Sequence, residues 1–475
     1  MNWASILSMQ PWLLFLTIMF EGYVVLAMEL LAIRQLTPYV GSSTDSIAII
    51  IAAVLLPLAI GYHVGGRTQF SPSQTHALRL RLARNLLVAG AIFTLGFIHI
   101  HTGAFFELLA SAGISHRLVR TVIYATLFLV YPTFLLGQTI PLASQAMPPD
   151  NLARLTGRML FYSTLGSFMG SIISTIVLMA WLGVHNTFTF TLAVLMGLVI
   201  LLTNKARHVY TFMACLLLAY TVSMNSNAVL AKLHIVQNNA YNQVALHTKA
   251  DGTRVLRVNG SSSSQLTATN PPKGFPYIEF LEANILRRLS PYKKHEILVI
   301  GAGGFTLGVD DRFNHYTYLD IDPDLKETSE KHFLGHKLGA NTYYVAESAR
   351  SFLRDTKTHY DVIVVDAFTN RMTIPAELIT REFFMEVRAR LKPGGIMAAN
   401  IIAPPSFATA YSRTIDATLR SVFPYISRQI VLSGTMNYDT DNANLLYTYI
   451  HPQTPLPAEG PRPYTDTLNR YFLHH

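Results

Sequence analysis

The chain has 475 residues, half of them apolar and only 14% charged, and its mean hydropathy of +0.30 excludes a single ordinary globular protein with a polar surface all round. One cysteine, Cys215, excludes a disulfide framework and any metal site built from several thiolates. The net charge of +9 rests largely on basic residues flanking apolar stretches, the bias of short cytoplasmic loops in a bacterial-type inner membrane protein, so no nucleic-acid partner is expected.

The apolar excess lies before about residue 225. A hydrocarbon core about 30 Å thick takes roughly 17 to 25 apolar residues per helix, and about seven such stretches begin near Trp12, Ile47, Leu86, Val122, Met159, Phe188 and Tyr210. Residues 1–228 therefore read as a polytopic membrane domain in contact with the lipid bilayer. The first stretch lacks a basic leader and a small-residue cleavage site and is expected to remain as an anchor. Gly166, Gly170 and Ser174, at helical spacing, predict close helix contacts. Residues 105–118 predict an amphipathic segment along the interface.

Arg67, Arg79, Arg81 and Arg84 follow the second stretch, Arg154 and Arg158 the fourth, and Lys205 and Arg207 the sixth. These loops share one side, the cytoplasm. Seven complete crossings would deliver the C-terminal half to the outside, unless the short seventh stretch, residues 210–226, fails to cross. Glu21 and Glu29 fall within or near the end of the first stretch, and Arg34 follows it. Either Glu29 pairs with Arg34 at the interface, or the two acids face a cationic ligand inside the bundle.

Beyond the apolar half, residues 229–292 read as a small β subdomain and a linking helix, and residues 293–475 as an α/β domain. Residues 243–248 and 254–258 predict two strands joined by the Asp251-Gly252 turn, a β-hairpin. A Ser/Asn/Pro-rich loop is expected over 260–272, and a helix over 277–289. Glu296-Ile-Leu-Val-Ile300 is a continuous apolar run typical of a buried parallel strand, and Gly301-Ala-Gly-Gly304 follows at once. Glycines such as Gly301 and Gly303 let the backbone approach a ligand closely.

Strands over 316–319, 341–345 and 361–365 lead to Asp320, Glu347 and Asp366. Asp320 stands about twenty residues after the first glycine, the spacing at which an acid holds ribose hydroxyls. Three acids at the carboxyl ends of successive strands converge where open α/β sheets bind ligands; alternatively each caps the next helix. A helix over 376–391, a Lys392-Pro-Gly-Gly395 turn and a strand over 396–400 complete a doubly wound alternation. The Pro-rich tail, residues 452–463, reads as a surface wrap or linker, and no histidine grouping suggests a metal.

Tyr360-Asp-Val-Ile-Val-Val-Asp366, Ile374-Pro-Ala-Glu-Leu378, Thr380, Glu382-Phe-Phe384 and Leu391-Lys-Pro-Gly-Gly395 resemble the polyamine aminopropyltransferase, or spermidine synthase, family over roughly residues 235–450. Glu29-Leu-Leu-Ala-Ile-Arg34 resembles its membrane-fused, multi-pass branch. The resemblance implies a multi-span α-helical membrane domain plus a Rossmann-like, AdoMet methyltransferase-type domain preceded by a small β-hairpin subdomain. It implies transfer of the 3-aminopropyl group of decarboxylated AdoMet to a small-molecule amine such as putrescine, giving spermidine and methylthioadenosine, without metal; because AdoMet is made and kept in the cytosol, the cytosolic side is expected for this half. A homodimer through the α/β half fits the same resemblance.

By the matching motifs, Asp366 is the general base and Tyr277, in Tyr277-Ile-Glu279, orients the amine; Glu279 belongs to the amine site. Asp320 holds the ribose, Glu347 and Ser348 stand near the adenine, and Asn242 replaces a cofactor-contacting glutamine. Two departures stand out: Gly304 replaces the family's usual Asp in the glycine turn, and Thr369 replaces an acid three residues after Asp366. Loss of the acid at 304 weakens discrimination against the AdoMet carboxylate, so methyl transfer from AdoMet is the alternative reaction. A polyamine carrier or sensor with a non-catalytic ligand-binding domain is the alternative of another class.

Overall fold

The computed structural model describes residues 11–68, 70, 74–146, 152–203, 208–368, 374–423, 425–431, 438 and 441–450. Thr369, Lys205, Arg207 and the Pro-rich tail lie outside the described residues. The chain forms two compact units, Met1–Leu233 with Asn238–Ala240, and His234–Gln237 with Tyr241–His475.

Among the described residues of the first unit, five helices are long and apolar enough to cross a membrane: Trp12–Val40, Thr44–Arg67, His76–Phe97, Arg117–Ser144 and Ala153–Thr203. The stretches expected from Met159 and Phe188 both lie in the last of these, which has 51 residues. At about 1.5 Å per residue that is far longer than a bilayer is thick. It bends at Gly183, whose φ of 77° and ψ of 168° are not helical, so two segments of membrane-spanning length result. The seventh stretch is the shorter helix His208–Met224, 17 residues. Residues 105–118 do not form one segment: a helix ends at Ser111 and the next begins at Arg117. Phe106 is buried there, stacked on Tyr39 with ring centroids 4.4 Å apart.

The small-residue stripe serves helix contact. A Cβ at Gly166 would overlap the carbonyl of Met19, and one at Gly170 that of Tyr23. Ser174 donates to Tyr23 Oη at 3.2 Å. Backbone thus approaches backbone, the packing that substitutes in lipid for a hydrophobic drive.

The second unit opens with a four-stranded sheet in the order β1 (Ile235–Asn238), β2 (Gln243–Thr248), β3 (Arg254–Val258), β4 (Ser261–Leu266). The expected hairpin is its centre, but β4 lies in the stretch read as loop. Its serines have poor strand propensity; pairing with β3 and burial of Ser264 and Leu266 override it. The expected helix over 277–289 is shorter, Pro276–Asn284 followed by a 3₁₀ turn. Pro276 suits the first helical position because its missing N–H has no partner there anyway.

A seven-stranded mixed sheet follows: β5 (Glu296–Ile300), β6 (His315–Asp320), β7 (Thr342–Ala346), β8 (Tyr360–Val365), β9 (Leu391–Ala403), β10 (Ser427–Val431) and β11 (Ala443–Ile450), ordered β10-β11-β9-β8-β5-β6-β7. Pairing is parallel from β9 to β7, while β11 is antiparallel to both β9 and β10. The helix expected over 376–391 is instead a 3₁₀ turn, Ala376–Leu378, and a helix Arg381–Ala389. Ile379 ends the first and Thr380 caps the second, its Oγ1 accepting from Phe383 N at 3.3 Å.

Candidate active site at the topological switch point

The chain order β5, β6, β7 builds outward on one side of β5, and β8 then returns to the other. The crevice between β5 and β8 is therefore the switch point where open α/β sheets bind ligands. Register aligns the strand ends: Ile300 pairs with Leu319 and Val365, and Leu319 with Val345. Gly301, Asp320, Glu347 and Asp366, one or two residues further on, thus share the carboxyl edge.

Gly301 adopts φ +93° and donates its N–H to Leu319 O at 2.8 Å. A Cβ there would overlap the carbonyl of Asp366, so glycine is required both by conformation and by the approach of the two strand ends. Gly303, at φ +49°, faces the hydroxyls of Ser263 and Ser264. Gly304 donates its N–H to Ser264 Oγ at 2.8 Å, and a Cβ would run into the Phe333 ring. The position of the family's acid is thus packed shut.

Asp366 lies directly after β8, its backbone N–H on Ile300 O at 2.8 Å. Tyr277 donates from its hydroxyl to Oδ2 at 2.8 Å, and Asn400 from Nδ2 to Oδ1 at 2.8 Å. Burial pushes the carboxyl up to about 6, with the bonds from Asn400 and Tyr277 pulling the other way. Burial and the neighbouring Asp366 raise the Tyr277 hydroxyl well above the ordinary tyrosine range, so it remains a donor. Asn400 is in turn oriented by Asn444, whose Nδ2 donates to Asn400 Oδ1 at 3.0 Å. The carboxylate is therefore clamped on both oxygens.

Asp320 ends β6, its Oδ2 accepting from Ala302 N at 3.1 Å and its Oδ1 from Asp322 N at 3.2 Å. Burial pushes it up to about 6 as well, against the pull of these two backbone bonds. Asn242 donates to Asp322 Oδ2 at 2.8 Å and accepts from Asn259 Nδ2 at 2.8 Å, while Gln237 donates to the same Asp322 oxygen at 2.7 Å. Asn242 thus braces the turn after Asp320 through fully buried Asp322. Glu347 is half-buried, its N–H on Asp320 O at 2.8 Å, and Ser348 is exposed at the start of helix Ala349–Asp355.

Glu279 is half-buried two residues after Tyr277 in the same helix. At about 100° per residue the two side chains leave it on nearly opposite faces, so the Tyr277–Asp366 contact does not bring Glu279 along. Thr369 lies outside the described residues. Among the described residues no group of three or more His, Cys, Asp or Glu could hold a metal ion.

Asn400, Asn444, Asp322 and Gln237 are absent from the sequence reading. Asn400 carried a usable signal, a polar residue near the carboxyl end of a parallel strand beside the switch point. Nothing local marks Asn444, which meets it across the β9/β11 pairing.

The two-sided clamp gives two expected outcomes. Tyr277→Phe removes a bond that favours the ionised carboxylate, so the acidic limb of the pH–rate profile moves up by about one unit; an unmoved limb contradicts the contact. Asn444→Ala leaves Asn400 free to turn and shifts the limb in the same direction by less.

Residues 242–439 match the family described as the spermine/spermidine synthase domain. Among curated proteins, the polyamine aminopropyltransferase of Vibrio vulnificus is 33% identical over 159 residues, 31% of this chain and 49% of that protein. The N-terminal histidine N-methyltransferase of Emericella nidulans is 34% identical over 137 residues, 27% of this chain and 23% of that protein. The chain thus spans about half or less of the length of these relatives. A solved structure, a probable spermidine synthase from Corynebacterium glutamicum, is 21% identical with a TM-score of 0.39, covering 45% of this chain and 78% of that one. The domain that carries the glycine turn and Asp366 is thus similar to the spermine/spermidine synthase domain over residues 242–439.

Proposed function

We propose that the protein is a membrane-anchored aminopropyltransferase that moves the 3-aminopropyl group of decarboxylated AdoMet to a diamine such as putrescine. The observation that carries this reading is the Asp366 carboxylate, gripped by Tyr277 and Asn400 beside the glycine turn. An amine nucleophile must be neutral, because a protonated nitrogen has no lone pair. Its nitrogen attacks the methylene carbon bonded to the sulfonium, the C–S bond breaks, methylthioadenosine leaves, and the proton of the new ammonium passes to Asp366. The sulfonium is already a good leaving group, so the protein's work is alignment and proton acceptance.

In this reading Asp320 holds the ribose hydroxyls and Glu347 with Ser348 borders the adenine. Asn242 acts through Asp322 on the loop after Asp320. The long apolar helices hold the enzyme in the bacterial inner membrane with the α/β unit on the cytosolic side, where its co-substrate is made. The helix His208–Met224, at about 26 Å, falls short of a hydrocarbon core of about 30 Å.

Methyl transfer from intact AdoMet is favoured by one observation, the closed position at Gly304, which leaves no acid there to repel the AdoMet carboxylate. Incubating the full-length protein with putrescine and each co-substrate separates the two by mass spectrometry. Methylthioadenosine and spermidine mark aminopropyl transfer; adenosylhomocysteine and a methylated amine mark the alternative; neither product from either co-substrate defeats both.

A further inference from the structure

Glu21 lies on the helix Pro11–Val40 and is only 1% exposed, yet neither carboxylate oxygen has a hydrogen-bond partner among the described residues. The neighbouring hydroxyls are committed elsewhere. Thr17, one turn earlier, donates to Leu13 O at 2.7 Å. Ser167, on the packed helix Leu152–Ile172, donates to Gly22 O at 3.4 Å. Val24, Val25 and Met28, one and two turns on, are buried and apolar. On Thr44–Arg67 the titratable side chains are Asp45, Tyr62, His63 and Arg67.

Of the other charged side chains in this unit, Arg34 donates to Asn239 O at 2.8 Å and Arg117 pairs with Asp45 at 2.9 Å, while the second acid of the first helix, Glu29, is 8% exposed. Glu21 differs in that both of its oxygens are fully buried and neither has a partner among the described residues. An acid placed in a bilayer core without a partner is too costly to be kept for packing, and its place on the bundle interior marks a ligand position. A carboxylate only accepts hydrogen bonds, so the complementary ligand is a cation that donates them. Close backbone packing at Gly166 and Gly170 on the same helix pair limits its size.

We propose that Glu21 is the anionic element of a cation site inside the membrane unit, taking a proton or a primary ammonium group. This rests on the membrane reading above but not on the aminopropyl chemistry, and flotation of the protein with lipid vesicles checks that reading separately. The test is infrared difference spectroscopy of the full-length protein in vesicles, following the carbonyl stretch of a protonated carboxyl against Glu21→Gln. One arm steps the bulk pH; the other adds methylamine at fixed pH.

The expected result is a carboxyl band present in the wild type, absent from the variant, and removed reversibly. Removal by pH alone assigns the site to a proton; removal by methylamine at fixed pH assigns it to an ammonium. A band that neither treatment moves, or no band that depends on Glu21, overturns the proposal. Glu21→Asp guards against misfolding of the first variant: its band should respond with a shifted midpoint, and a response identical to wild type assigns the band to another group and counts against the site.

Discussion

Asp366→Asn is expected to lower turnover by about 10²- to 10⁴-fold, the range over which a positioned general base contributes, while leaving binding of the adenosyl substrate near its wild-type value. The amide keeps the size of the side chain but cannot take the proton released as the nitrogen is alkylated. The wild-type rate should also depend on pH with a definite sign. Burial raises Asp366 from 3.8 to about 6, and the base is the ionised form, so the rate climbs as pH rises through about 6 and falls below it. The folding contribution runs oppositely: the native carboxyl holds its proton where the unfolded one has released it. That stability is fully present below 3.8 and is lost as pH rises through about 6. In the proposed reaction, activity thus requires the less stable protonation state. A rate that is flat between pH 5 and about 7 would remove Asp366 from the base role.

Gly301→Ala is expected to destabilise the α/β unit by about 3 kcal/mol or more and to abolish turnover. Two causes act together: a φ of +93° that alanine adopts only under strain, and overlap of the new Cβ with the Asp366 carbonyl. Relief of the overlap would push the ends of β5 and β8 apart and carry Asp366 away from Tyr277 and Asn400. A thermal melt of the full chain beside its turnover checks this; a variant as stable and active as wild type contradicts the close approach. Gly303→Ala, where the neighbours are serine side chains that can turn, is the milder comparison.

The central strands were legible because they are buried on both faces and spell continuous apolar runs. β5 is read residue for residue, and β8 to within one residue at its start. The acids at their ends follow from the switch-point rule without any knowledge of contacts. β4 was not legible, since Ser261-Ser-Ser-Ser-Gln-Leu266 carries no strand propensity and gains its structure from β3 alongside. The break between Leu378 and Arg381 was missed because the apolar period continues across it, and only the capping role of Thr380 reveals a second start. The clamp on Asp366 joins Tyr277, Asn400 and Asn444, separated by long stretches of chain, and no local pattern encodes which amide meets which oxygen. The crossing count was harder still: composition shows apolar stretches, but the turn within Ala153–Thr203 depends on one glycine at positive φ.

The central claim is that an adenosyl sulfonium lies on the glycine turn with its ribose on Asp320 and its reacting carbon beside Asp366. Calorimetric titration of the full-length protein in lipid with decarboxylated AdoMet, run beside Asp320→Ala and Asp366→Asn, tests it most directly. The account predicts saturable binding that Asp320→Ala weakens at least about tenfold, the worth of one charge-assisted hydrogen bond, and that Asp366→Asn leaves intact. No binding by the wild type, or equal binding by Asp320→Ala, would contradict it.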